Sequence, residues 1–171
     1  AQQYQGLAIS ACDYVAARQK ENGAWVYGEA DYWQWVDNLH TGFVLETLNS
    51  ISKLTDTSKY SDVLSRGMQY YRNALFTEDW KAKYYSNEVY PLDPHSYAQA
   101  VITFLELSEY MEDNRHIAEL ILARAVEDLW NEERSGFVYR KHSSYTDSMI
   151  YLRWNQGWMF KALCKYIGAT E

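Results

Sequence analysis

The chain has 171 residues, 47% of them hydrophobic, which is enough for one domain with a buried core. Sixteen Lys and Arg against 23 Asp and Glu give a formal charge of -7, excluding the clustered basic footprint that nucleic-acid binding needs. No apolar run has the length of a membrane-spanning helix, and no basic-then-apolar signal peptide opens the sequence.

The first predicted helix carries Leu7, Ala11, Tyr14, Val15 and Arg18 at helical spacing and stops at Asn22-Gly23, residues that tolerate the left-handed conformation of a C-terminal cap. A second begins near Asp37, with His40, Phe43, Val44, Thr47, Leu48 and Ile51 on one stripe, and ends at the Thr55-Asp56-Thr57-Ser58 turn. Tyr60, Val63, Leu64, Met68, Tyr71 and Leu75 mark the third, and Ala98, Val101, Ile102, Leu105 and Leu107 the fourth. The fifth spans about Arg115 to Glu132, and the sixth about Gln156 to Tyr166. Outside the loops no segment alternates with period two over a strand's length, so the expected class is all-α. Cys12 and Cys164 fall within predicted helices and make no metal-binding spacing. They read as reduced core thiols, favouring a reducing, cytoplasmic compartment, with the periplasm as the alternative.

The connections are unequal. Links from helix two to three and from four to five are short, whereas those from one to two, three to four and five to six run to roughly 15 residues, beyond the usual helix-to-helix range. Each long loop joins an odd helix to the next even one, so all three emerge at one end of the array. Gly42, Ala98 and Gly157 mark the repeat at intervals of 56 and 59 residues, a helical hairpin plus one long loop. The loops hold many of the aromatic residues, among them Trp25, Tyr27, Trp35, Tyr85, Tyr90, Tyr139 and Trp154. Rigid aromatic rings with polar tips suit sugar rings as ligands, and these residues are candidate substrate contacts. Short β-ribbons packing their own aromatics over the helix ends are the alternative reading.

Asp37 and Asp93 stand at the starts of even helices. Asp93-Pro94 has the form of a helix N-cap followed by Pro at the first helical position, and Asp37 also fits an N-cap. The functional alternative pairs them as general acid and base across a glycosidic bond. His40 and His95 lie close to those acids. A helix N-terminus favours the neutral imidazole, useful for taking a proton from a sugar carbon, although a structural bond to a loop carbonyl would also explain each. Gln99, one turn after His95, shares its face. Arg153, Asn155 and Gln156 open helix six, where Arg153 could hold a carboxylate or pair with Asp93 or Asp37. Glu46 reads as solvated. The Asp and His spacings match no metal motif, and no phosphate loop or nucleophile elbow is present, so no cofactor or metal is expected.

The segments Asp37-x-x-His40-x-Gly42, Tyr90-Pro-Leu-Asp93-Pro-His95-Ser and Tyr151-Leu-Arg-Trp-Asn-Gln-Gly-Trp-Met-Phe160 resemble the C-terminal half of VpsJ-like bacterial proteins of polysaccharide biosynthesis. These are (α/α) toroid proteins of the six-hairpin glycosidase superfamily. The resemblance runs from about Gly23 to Leu163 and implies a toroid or partial toroid of three helical hairpins with the aromatic loops on one side. On that reading residues 1–171 form one domain, the C-terminal half of a longer six-hairpin protein, or an array that self-associates through exposed apolar edges. The expected function is carbohydrate binding or catalysis, by glycoside hydrolysis or proton transfer at a sugar carbon. The alternative is a non-catalytic glycan-binding or protein-interaction scaffold.

Overall fold

The computed structural model describes residues 2–170. Six α-helices carry the fold: α1 (Gln2–Ala16), α2 (Asn38–Thr55), α3 (Ser61–Ala74), α4 (Pro94–Glu106), α5 (Asn114–Leu129) and α6 (Gly157–Thr170). The chain is therefore mostly helical, as its periodicity predicts. Helix α4 is the centre, packed against α2, α5 and α6, and every residue from Pro94 to Phe104 is buried. Helices α1 and α3 pack on α2. The shared core includes Leu45, Leu48, Met68, Tyr71, Ile102 and Phe104.

Local chemistry sets the helix ends. Asp37 and Asp93 both cap, their carboxylates accepting the backbone N–H groups of His40 and His95. Asp56 ends α2 in the left-handed region at φ 48°, its N–H returning to the Ser52 carbonyl. Gly42 lets α2 approach α4 closely: a Cβ there would lie 2.7 Å from Gln99 Cγ and 2.9 Å from Thr103 Oγ1.

The three long loops are joined to one another by backbone hydrogen bonds. Ser86 N–H donates to the Val36 carbonyl at 2.9 Å, linking the first loop to the second. Leu92 and Lys141 exchange two bonds, 2.8 and 3.0 Å, linking the second to the third. The third loop also contains four two-residue strands: β1 (Trp130–Asn131) pairs antiparallel with β2 (Gly136–Phe137), and β3 (Arg140–Lys141) with β4 (Thr146–Asp147). Two-residue strands leave no periodic trace in a sequence, so their positions do not follow from the helical pattern, but short ribbons in the third loop agree with the alternative reading of the aromatic loops. They also shorten α5, which stops at Leu129 rather than Glu132 because Trp130 turns extended to pair with Phe137.

Two further features depart from expectation. One π-helical turn, Leu152–Gln156, precedes α6. Cys12 is buried as expected, but Cys164 is exposed on α6. Apolar side chains stand exposed on α1 (Tyr4, Leu7, Tyr14) and around the start of α6 (Leu152, Phe160). Among the described residues no helix is long and apolar enough to cross a membrane.

Candidate functional site

A cavity of about 320 Å³ opens where the joined loops meet the first turns of α2 and α4. Asp37, His40, Asp93 and His95 all line it, together with Tyr27, Trp35, Tyr84, Tyr85, Arg140 and Trp154. Eight of the candidate residues thus share one space, brought there from all three loops.

Asp37 is buried and holds His40 twice. Its carboxylate accepts the His40 backbone N–H at 2.7 Å and faces the ring Nδ1 at 2.9 Å from both oxygens. This hydrogen bond pushes the His40 pKa up, outweighing the partial burial that works against the charge. The helix N-terminus alone predicts the opposite direction; the contact with the capping carboxylate wins because it is closer. With Nδ1 engaged, Nε2 is the ring nitrogen left for a ligand, and the His40 side chain is 51% exposed.

Asp93 is also committed on both oxygens. Oδ1 accepts the His95 backbone N–H at 2.9 Å, and Oδ2 accepts Nε of Arg140 at 2.8 Å. Arg140 donates again through Nη2 to the Tyr84 hydroxyl at 3.1 Å, and its guanidinium lies over the rings of Tyr84 and Tyr139. Pairing with Asp93 or Asp37 is one of the two roles the sequence offers Arg153, but Arg153 is exposed and the cation beside Asp93 is Arg140, carried there by the β3–β4 ribbon. No motif surrounds Arg140 in the sequence; its only signal is a place beside Tyr139 in an aromatic loop.

His95 is 6% exposed, and its Nε2 donates to the Trp154 carbonyl in the π-helical turn. That bond leaves Nδ1 as the nitrogen with the lone pair. Burial pushes the His95 pKa down, against the opposing pull of Asp93 and the Trp154 carbonyl. The Trp154 ring also packs on the imidazole, 4.5 Å between centroids. The two histidines therefore titrate in opposite directions from the ordinary value.

Aromatic rings form the walls. Tyr27 stacks on Trp35 at 4.9 Å and meets the His40 ring edge-on, and Trp35 meets Tyr85 at 6.3 Å. Other candidates lie elsewhere. Trp25 is in the core, its indole N–H on the Val15 carbonyl and its ring beside Gly67. Tyr90 is exposed next to His142, and Tyr139 packs on Tyr151 and Arg140. Gln99 is buried and does not line the cavity, donating to Glu46 at 2.8 Å and to Thr103 at 3.1 Å. Glu46 is accordingly not a freely solvated side chain; it also faces Lys161 at 3.9 Å. Gln156 engages both amide atoms with the backbone of Phe137, at 3.0 and 2.6 Å, and Asn155 donates to the same carbonyl.

Both carboxylates are buried with each oxygen already accepting a hydrogen bond. Neither is presented as an acid to a glycosidic oxygen. The two histidines each keep one ring nitrogen beyond their structural bonds. The arrangement suits proton transfer by imidazole better than hydrolysis by paired carboxylates.

No protein-family model and no curated protein matches the sequence. The fold is similar to the crystal structure of D-mannose isomerase, with a TM-score of 0.77 and 10% identity over 99% of this chain. The match covers 47% of that chain, so the present chain spans about half the length of the structure it matches.

Proposed function

We propose that this domain binds a sugar in the aromatic cavity and moves a proton at a carbon next to its carbonyl. The observation that carries the reading is the pair of histidines, His40 and His95, on one cavity with pKa values displaced to opposite sides of the ordinary imidazole value. Likeness of fold to an isomerase of D-mannose supports a carbohydrate ligand and this class of reaction.

In the proposed step, neutral His95 takes the proton from the carbon through Nδ1. The freed electron pair forms the carbon–carbon double bond, and the carbonyl oxygen receives a proton from Nε2 of His40. Protonated His95 then gives its proton to the neighbouring carbon of the enediol while Nε2 of His40 takes the proton of the second hydroxyl, which becomes the new carbonyl, giving the isomer and restoring both histidines. Asp37 orients His40 and supports its charge; Asp93 caps α4 and holds Arg140. Tyr27, Trp35, Tyr85 and Trp154 supply the stacking surfaces.

We further propose that the three hairpins are part of an (α/α) toroid, with α2, α4 and α6 forming its inner wall and the long loops its mouth. The side-by-side packing of α4 with α2 and α6, and a match to about half of a longer structure, support that arrangement. A role in bacterial polysaccharide metabolism, from the resemblance of the sequence motifs, fits the same site.

Turnover of unphosphorylated hexoses, followed by proton NMR, tests the reaction. His40→Gln and His95→Gln should each bind sugar yet lose about 100-fold or more in rate, within the range for an acid–base group. Sugar that binds to the wild type without conversion would instead mark a non-catalytic glycan-binding module.

A further inference from the structure

The cavity's charges are paired within its own wall. Its charged lining consists of Asp37, Asp93, Arg140 and the two histidines. Arg140, the single permanent cation among them, is 2.8 Å from Asp93. Asp37 sits 2.9 Å from His40, so even a protonated His40 is balanced by its own carboxylate. The lining thus has no surplus positive charge in either state of His40, and a net negative one when His40 is neutral. The whole chain carries -7, which adds no compensating field.

An anionic sugar entering this space would meet two carboxylates and find its natural counter-ion already occupied. Arg140 nevertheless keeps donors: its bonds to Asp93 and Tyr84 use Nε and Nη2, and Nη1 with two N–H groups completes the fork. Held by Asp93, Tyr84 and the faces of two tyrosines, that fork is fixed before a ligand arrives, which lowers the ordering cost of a hydrogen bond to it.

Resting on the sugar-binding reading above, we infer that the site selects a neutral sugar, with Arg140 reading a hydroxyl or carbonyl oxygen, and rejects uronates and phosphosugars because Asp93 and Asp37 neutralise the cavity's cations. Arg140 is then a specificity-determining residue and Asp93 the group that sets its selectivity. The rejection is a repulsive element built into the wall rather than a missing contact.

The test is a titration of wild type and Asp93→Asn with D-mannose, D-glucose, the corresponding uronic acids and inorganic phosphate, followed by NMR at the Arg140 side chain. Asn keeps the helix cap. The wild type should favour the neutral hexose over its uronate by about tenfold or more, given the cost of like-charge juxtaposition. Asp93→Asn should shrink or reverse that preference and allow phosphate to shift Arg140 saturably. Should Asp93→Asn fail to fold, Asp37→Asn removes a carboxylate from the same cavity while keeping a capping side chain, and the preference for the hexose over its uronate should shrink while Arg140 stays paired with Asp93. A wild type that takes the uronate as tightly as the hexose, or that binds phosphate at Arg140, overturns the inference. If no hexose binds while the phosphate arms behave as expected, the carbohydrate reading fails and the exclusion of anions stands.

Discussion

Asp93 and Arg140 lie 47 residues apart in the sequence and meet at 2.8 Å, joining the first turn of α4 to a two-residue strand in the next loop. The carboxylate is almost fully buried, while the guanidinium is 24% exposed. Removing the arginine therefore strands a buried charge, whereas removing the charge on the acid strands little. Arg140→Met should destabilise the fold by about 2–4 kcal/mol, near the lower end for broken buried pairs. Asp93→Asn should cost less. Urea denaturation of both variants checks the ordering, and an equal or reversed order would show that the pair is not buried in solution.

Gly42 predicts a steric effect on the same site from below. An alanine Cβ would press on Gln99, Thr103 and the Tyr71 hydroxyl, the last at 3.1 Å. Overpacking of this kind costs about 1–3 kcal/mol. Gly42→Ala should lower the melting temperature and, by moving α2 against α4, separate His40 from His95. Unchanged thermal stability would contradict the close helix contact.

Gln156 and Arg153 are three residues apart and should behave differently. Gln156→Ala removes two bonds to the backbone of Phe137, leaving its N–H without the Gln156 acceptor while its carbonyl keeps Asn155, at about 1–3 kcal/mol. Arg153→Ala, at an exposed position, should fall within about 0.5 kcal/mol of the wild type. Parallel melts of the two variants decide this, and a large loss at Arg153 would reassign the opening of α6.

The helices were legible because an apolar stripe at helical spacing must find a core, and the N-caps because a carboxylate at a helix start has backbone N–H groups to satisfy. The gathering of Asp37, His40, Asp93 and His95 on one side follows from the alternation of short and long loops. Arg140 was not legible. Its position depends on Leu92 pairing with Lys141, a long-range backbone contact between loops that no local pattern encodes. Gln99, Gln156 and Trp25 stand at the expected end of a helix or loop, and their polar atoms meet partners within the fold: Gln99 the side chains of Glu46 and Thr103, Gln156 the backbone of Phe137, and Trp25 the Val15 carbonyl. Composition identifies residues able to meet a ligand; only packing decides which of them are left free to do so.

The histidines give a pH prediction. The folded-state pKa of His40 is raised by Asp37, so its contribution to stability is fully present below the unfolded value, about 6.5, and is lost as pH rises through the folded value. The stability difference between wild type and His40→Gln should therefore be larger at acidic pH and shrink above neutrality. The pKa of His95 is lowered by burial, so its effect has the opposite sign: stability present in the neutral form is lost as pH falls. NMR titration should find one imidazole on each side of about 6.5. Two coincident titrations would remove the basis for assigning separate acid and base roles.

In the proposed mechanism imidazoles, not the capping carboxylates, move a proton at a sugar carbon. Incubating the protein with unphosphorylated D-mannose in deuterium oxide and following deuterium entry at the carbon next to the carbonyl tests it most directly. Wild type should incorporate deuterium, His95→Gln should lose incorporation by about 100-fold or more, and Asp93→Asn should retain most of it. Incorporation that survives in His95→Gln, or disappears only when Asp93 is replaced, would contradict proton transfer by the histidines.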